Sequence, residues 1–379
     1  VLVGQAWGAQ NIEKVRAVVG STIFMTLIGG SFIAFLGVIF ARPILSALGI
    51  DEDVMHLSLP YVQWMLAGSP LLFVYIIYTS ILRGVGDSTT PLIASGMTIL
   101  IGFCVTPVLI AGYFGFPKLG IVAPAIATIL GFVSVLTFLY FYLNYKQHPL
   151  RLDAQLLRHI RFDRQLSKII LRLGVPTGIQ MITTSVAGLV IVGLVNRHGA
   201  DATAAYGAVN QVLNYIQFPA LSIAIAASIF GAQAIGAGKS ELLAKVTRTA
   251  LGMNITITGS LVVLAYLFSK YLMALFITDH AVVELGQQLL FIVLWSILFF
   301  GASAIFASIM RASGTVTMPM VINIVAIIAI EVPCAYLFSE WWGLQGIWYA
   351  YALAFVSLCI MQGLYYQFIW KKKTIETLI

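Results

Sequence analysis

The sequence predicts an all-α integral membrane protein of twelve helices, arranged as two six-helix lobes that are parallel copies of one unit. Three observations predict it. The 379 residues are 60% hydrophobic and only 9% charged, with a mean hydropathy of +0.98, which no soluble globular class matches. Charge-free runs occupy 18–40, 57–82, 88–117, 119–145, 173–196, 202–238, 249–269, 285–310, 312–330 and 341–370. A hydrocarbon core of about 30 Å needs roughly 20 apolar residues of helix, so these are ten complete spanning helices. The third observation is a repeat: Leu82 to Pro91 returns 228 positions later as Met310 to Pro319, with Arg83 on Arg311, Gly86 on Gly314 and Pro91 on Pro319. The same register lays Gln5 on Gln233, Gly8 on Gly236 and Asp51 on Asp279, so the chain is a duplicated unit. The period-two alternation of a membrane barrel is absent, and helices are the other way to satisfy the backbone in lipid.

The elements follow in chain order. Gln5 to Gln10 reads as the tail of a helix, because its copy, Gln233 to Ala237, closes the long run that starts at Ala202. By the same register a first helix and most of a second are expected upstream of Val1. The N-terminal lobe is then 1–145, from the end of helix 2 to helix 6. At each repeat turn Arg83 or Arg311 ends an apolar run, Gly86 or Gly314 permits a left-handed cap, Asp87, Ser88 or Thr315 can cap the next start, and Pro91 or Pro319 sits in its first turn. Residues 146–172 are the one long polar segment, read as an inter-lobe linker with an interfacial helix over 153–160. The C-terminal lobe is 173–379, helices 7 to 12. An even number of helices separates Arg83 from Arg311, so the lobes share one orientation about an axis along the membrane normal.

The formal net charge of +7 raises the question of a polyanionic partner, and the placement of the charges answers it. Of the 21 Lys and Arg, all but Arg42, Lys118, Arg197 and Lys270 fall in alternate loops or at the C-terminus. The positive-inside rule makes that rich side cytoplasmic, with the protein multi-pass in the plasma (inner) membrane, and accounts for the excess without nucleic acid. No obligate protein partner is indicated. Cys104, Cys334 and Cys359 lie singly in apolar runs, as packing residues do, and the five His show no metal-ligand spacing, so no metal is expected. The stretch Gly236 to Ser240 resembles the end of a phosphate loop, but position 233 is Gln where the loop needs Gly, and a spanning helix leads into it. ATP-driven transport is excluded on that context.

Polar side chains at mid-membrane cost a few kcal/mol each unless they find a partner or water, so they are the candidate site residues. Glu331 is the one acid, about twelve residues past Pro319 and so near 18 Å into a core of about 30 Å. It serves an ion or substrate path, or it bonds to a carbonyl freed near Pro333 or pairs with a distant cation. Asn323 shares its helix. Asn210, Asn214 and Gln217 lie at i, i+4 and i+7 on one face, with Pro219 beyond; Gln180 and Thr184 lie at i, i+4 after Pro176. These faces are interhelical hydrogen bonds or, on two kinked neighbouring helices, the wall of a wet cavity.

Gly4 to Asn11, Arg83 to Pro91, Gly174 to Gln180, Gly231 to Gly238 and Val332 to Tyr336 together resemble the multidrug and toxic compound extrusion (MATE) family of the flippase-related MOP exporter superfamily. The resemblance spans the whole chain. It implies two lobes around a central cavity and export of organic, chiefly cationic small molecules against H+ or Na+, the coupling ion and no other cofactor. One branch of the family carries acids in helices 7 and 10; here the helix-7 position is Thr184 and run 285–310 has no acid. Other members carry the coupling acid in the first helix, upstream of Val1. A lipid-linked saccharide flippase of the same superfamily is the alternative, and would line its cavity with cations that these runs lack. An intramembrane enzyme would need a paired acid, base or nucleophile at helical spacing, and Glu331 has no His or second acid on its helix.

Overall fold

A computed structural model describes residues 1–47 and 49–379. Among the described residues ten helices are long and apolar enough to cross a membrane: Ile12–Ala47, Glu52–Gly84, Thr89–Ala111, Gly120–Tyr145, Arg164–Asn196, Ala200–Gly236, Leu242–Leu267, His280–Ala312, Thr317–Trp342 and Leu344–Lys372. No strand occurs among the described residues. The chain forms two compact units, one of residues 10–170 with Leu2, the other of Val1, residues 3–9 and residues 171–379.

In the first unit, α2 (Ile12–Ala47) packs along α3 (Glu52–Gly84), and α4 (Thr89–Ala111) along α5 (Ala123–Tyr145). Small residues set these approaches: a side chain at Gly30 would meet Pro70 and Phe73, and one at Gly68 would run into Ile129, the close packing that helices in lipid depend on. The short α6 (Ala154–His159) lies against α2 where Gly20 leaves room for the His159 carbonyl. Asp153 caps α6 by accepting the Leu156 N–H at 2.8 Å. That bond, with Arg16 at 3.8 Å and Arg151 at 3.5 Å, holds its carboxyl below the usual range. Gln155 accepts a further bond from Arg16. The Tyr78 hydroxyl donates to the Leu150 carbonyl at 2.7 Å, which fastens the polar segment to α3.

The second unit holds α1 (Leu2–Gly8) but for Leu2, α7 (Arg164–Asn196) from Leu171 on, and all that follows: α8 (Ala200–Gly236), α9 (Leu242–Met253), α10 (Gly259–Leu267), α11 (Ser269–Ala274), α12 (His280–Val293), α13 (Ile297–Ala312), α14 (Thr317–Val325), α15 (Val332–Trp342) and α16 (Leu344–Leu364). Two apolar cores are strung along α8. One gathers Val209, Leu290, Ile297 and Trp348, the other Ile235, Ile309, Met310 and Trp370. The two repeat motifs meet in this unit. A side chain at Gly8 would strike the Gln233 backbone, and one at Gly236 the Gln5 backbone, so Gly8 contacts the register mate of Gln5 and Gln5 that of Gly8, reciprocally, as in a two-fold crossing. Gln5 fixes the crossing further, donating to the Ala312 carbonyl and accepting from the Leu378 N–H, both at 2.8 Å.

The repeat turns share their backbone. Gly86 N–H donates to Arg83 O and Asp87 N–H to Leu82 O; 228 residues on, Gly314 donates to Arg311 and Thr315 to Met310. Both glycines have positive φ, 93° and 84°. The side-chain caps differ from expectation. Asp87 accepts the Thr90 N–H at 3.0 Å, but neither Ser88 nor Thr315 caps: Thr315 instead faces the Ser313 hydroxyl at 3.2 Å. Two boundaries also moved. Helix α7 begins at Arg164, inside the polar segment, because Asp163 accepts the Gln165 and Leu166 N–H groups and starts a helix there. The run ending at 330 continues through Glu331 to Trp342. Cys104 is exposed and so does not pack as expected, while Cys334 lies against the first core.

Candidate functional site

Pro333 shapes the site. It has no N–H for the carbonyl four residues back, and the helix relieves the missing bond by widening. Between α14 and α15 the backbone is π-helical over Ala326–Glu331, with the Val332 N–H reaching back five residues to Ile327 O. Glu331 is the last residue of that wide turn, half-buried, and makes no hydrogen bond or ion pair among the described residues. Neither a carbonyl freed at Pro333 nor a cation is its partner among the described residues.

The π-helical turn packs on α16, which brings Tyr351 within electrostatic reach of Glu331. The Tyr351 hydroxyl lies 3.0 Å from that of Tyr206 on α8. Trp348 stacks obliquely on both rings, with centroids at 5.4 and 5.5 Å, and its buried indole N–H has no partner among the described residues. Tyr206 stands one turn before Asn210, so Tyr206, Asn210, Asn214 and Gln217 share one face of α8. The Tyr351–Tyr206 pair thus joins α16 to the polar face of α8.

The expected site residues divide accordingly. Asn210 and Gln217 are half-buried and Asn214 is exposed, and none bonds to another helix among the described residues. Asn323, on α14, keeps its buried side-chain oxygen without a partner among the described residues. Gln180 and Thr184 lie on a half of α7 that gives no residue to either core of this unit, and the Thr184 hydroxyl donates only to its own helix, at Gln180 O. Helices α7 and α8 run through Pro176 and Pro219 without a break. Sequence reasoning missed Tyr206, Tyr351 and Trp348. Tyr206 had a signal, its place on the Asn210 face; the α16 aromatics had none, since nothing in the sequence says which helix covers Glu331. Bonds of the interhelical kind sit elsewhere: Asn254 Nδ2 donates to Leu298 O at 3.0 Å, and Gln362 Nε2 to Pro319 O at 3.1 Å.

The chain's likeness to known proteins agrees with this architecture. The MatE family profile matches residues 1–108 and 176–337. "Probable multidrug resistance protein YoeA" of Bacillus subtilis is 44% identical over 382 residues, which covers 100% of this chain and 82% of the relative. A "FAD transporter" of Shewanella oneidensis is 25% identical over 363 residues, 96% of this chain and 79% of the relative. Among solved structures, "Outward-facing conformation of a multidrug resistance MATE family transporter of the MOP superfamily" superposes with a TM-score of 0.89 at 20% identity, covering 97% of this chain and 81% of that one. At that identity the match speaks for the fold. With the family profile on most of its length and a 44%-identical relative aligned along all of it, the chain belongs to the MatE family, the multidrug efflux transporters.

Proposed function

We propose that this protein is a secondary antiporter that exports organic, chiefly cationic compounds across the plasma membrane in exchange for H+ or Na+. Glu331 is the intramembrane carboxyl on its cation path. The observation that carries the reading is that carboxyl's isolation: at membrane depth, half-buried and with no protein cation beside it, a carboxylate is tolerated only while it holds a proton or a small cation. A group that must take up and give back a cation as its surroundings change is what ion-coupled exchange requires. The α8 face of Tyr206, Asn210, Asn214 and Gln217 supplies hydroxyl and amide contacts for cargo, and the aromatic rings attract organic cations. An anionic cargo, such as a lipid-linked saccharide or the flavin nucleotide named for one relative, is disfavoured because these residues include no cation.

The test is Glu331→Gln in the full-length protein, measured as efflux per folded molecule in proteoliposomes across pH 6 to 8. The variant keeps the size of the side chain and removes its charge. Ion-driven efflux is expected to fall at least tenfold while drug binding persists. An unchanged rate and pH profile would remove Glu331 from the path.

A further inference from the structure

A groove lies away from the Glu331 site. It is a cavity of about 390 Å³ between the last turns of α8 and the whole of α9, walled by Ala227 and Phe230 on one side and by Val246, Ala250 and Met253 on the other. Each wall is one helical face, spaced i, i+3 on α8 and i, i+4, i+7 on α9. The groove opens outward: Phe230 is 61% and Met253 44% exposed, so neither is core packing. Its lining breaks the apolar pattern at Lys245 and Thr249. Lys245 is exposed and has no ion-pair partner among the described residues. Lys239 precedes it in the loop, Arg248 follows it by three residues on the same helix, and Glu241 is the single acid among them. The cluster is net positive.

From Lys245 to Met253 the helix rises about 12 Å, close to the thickness of one hydrocarbon leaflet of about 15 Å. An ammonium at headgroup level above an apolar slot one leaflet deep matches a molecule with an anionic head and a long hydrocarbon tail. We propose that this groove binds an anionic phospholipid, one acyl chain lying between Phe230 and Met253 and the phosphate held by Lys245 with Arg248 beside it. Lys and Arg at such positions run their stems along the apolar wall and keep their charge at the interface. The charge complementarity selects the occupant: a zwitterionic lipid would fill the slot equally well but would gain less from the cluster.

The experiment titrates the full-length protein in detergent with phosphatidylglycerol or phosphatidylcholine of identical chains, and with inorganic phosphate, reading the rise in Tm and the lipid retained in native mass spectra. Phosphatidylglycerol is expected to stabilise and to be retained, phosphatidylcholine to bind several-fold more weakly, and phosphate alone to do nothing. Lys245→Gln, at an exposed position that folding tolerates, should weaken phosphatidylglycerol about fivefold, the factor for one cation at an anionic surface. Ala226→Phe, which fills the groove from the α8 wall, should abolish retention of both lipids. Equal responses to the two lipids, full phosphatidylglycerol binding by Lys245→Gln, or stabilisation by phosphate alone would each overturn the proposal. None of these readouts depends on transport, so their failure leaves the role of Glu331 untouched.

Discussion

At the scale of single residues, burial and pairing decide which groups respond to pH. His148, in the polar segment between the two halves of the chain, accepts the Leu150 N–H on Nδ1 at 3.1 Å and holds Nε2 3.9 Å from an Asp87 carboxylate oxygen. Burial pushes its imidazole below the usual histidine range, and Lys146 adds to this; the pull of Asp87 in the other direction is the weaker influence. The neutral ring is thus the one the fold accommodates, and a protonated Nδ1 could not accept from Leu150. Because the folded pKa lies below the unfolded one near 6.5, the unfolded segment binds a proton first. The contribution of this anchor is complete above about pH 6.5 and is lost as pH falls below it. Protease protection of residues 146–163 is therefore expected to decline between pH 7.5 and 5.5 in the wild type and to stay flat in His148→Gln, which keeps an acceptor that does not titrate. Parallel decline in both proteins would assign the effect to another group. Of the candidate site, Glu331 was legible because an acid inside an apolar run stands out, whereas Tyr351 was one aromatic among many until the fold set its hydroxyl beside that of Tyr206.

At the scale of elements, the repeat separates positions that need glycine from positions that merely have it. Gly236 and Gly8 sit where each helix meets the other's backbone, and a methyl there has no flexible side chain to displace. Gly236→Ala is expected to lower stability by about 1 to 3 kcal/mol through overpacking, visible as a fall of a few degrees in Tm. Gly188→Ala in α7, where an added methyl meets nothing within 4 Å, should hold or raise it by about 1 kcal/mol or less; equal losses in the two would mean the crossing has room after all. The register also exposes a conformational mismatch. Gly238 caps the second copy at φ 71°, while its mate is Gln10, held at φ 56°. A side chain in the left-handed region costs roughly 1 kcal/mol, so Gln10→Gly should stabilise by about that amount in the same melting measurement, and a destabilised variant would refute the assignment of strain. Glycine positions and turn register could be read from the repeat alone. The π-helical turn at Ala326–Glu331 could not, because Pro333 announces a broken hydrogen bond without saying whether the helix kinks, ends or widens.

At the scale of the whole molecule, the apolar runs fixed the number of spans, since a membrane leaves the backbone few other options. Helix boundaries were less legible: α7 starts at Arg164 because Asp163 caps it, and a cap in a charged stretch looks like any other loop carboxylate until its N–H partners are seen. Orientation is the remaining property that sequence physics addresses directly. Only Arg42, Lys118, Arg197 and Lys270 of the 21 cations depart from the rich side, and insertion retains such loops in the cytoplasm. The segment around Asp153 suits a test of that reading, because Gln155 is exposed beside a capped, ion-paired turn and Asp201 is exposed at the start of α8, one span further along the chain. In a background with Cys104, Cys334 and Cys359 replaced by Ala, Gln155→Cys should resist a membrane-impermeant thiol reagent in intact cells and react once the cells are opened. Asp201→Cys should react in both. The pair guards against a misleading negative, since a thiol shielded by folding alone would stay silent after lysis as well. Labelling of position 155 from outside, with position 201 protected, would invert the topology and turn the basic loops, the linker and the Lys245 cluster toward the exterior.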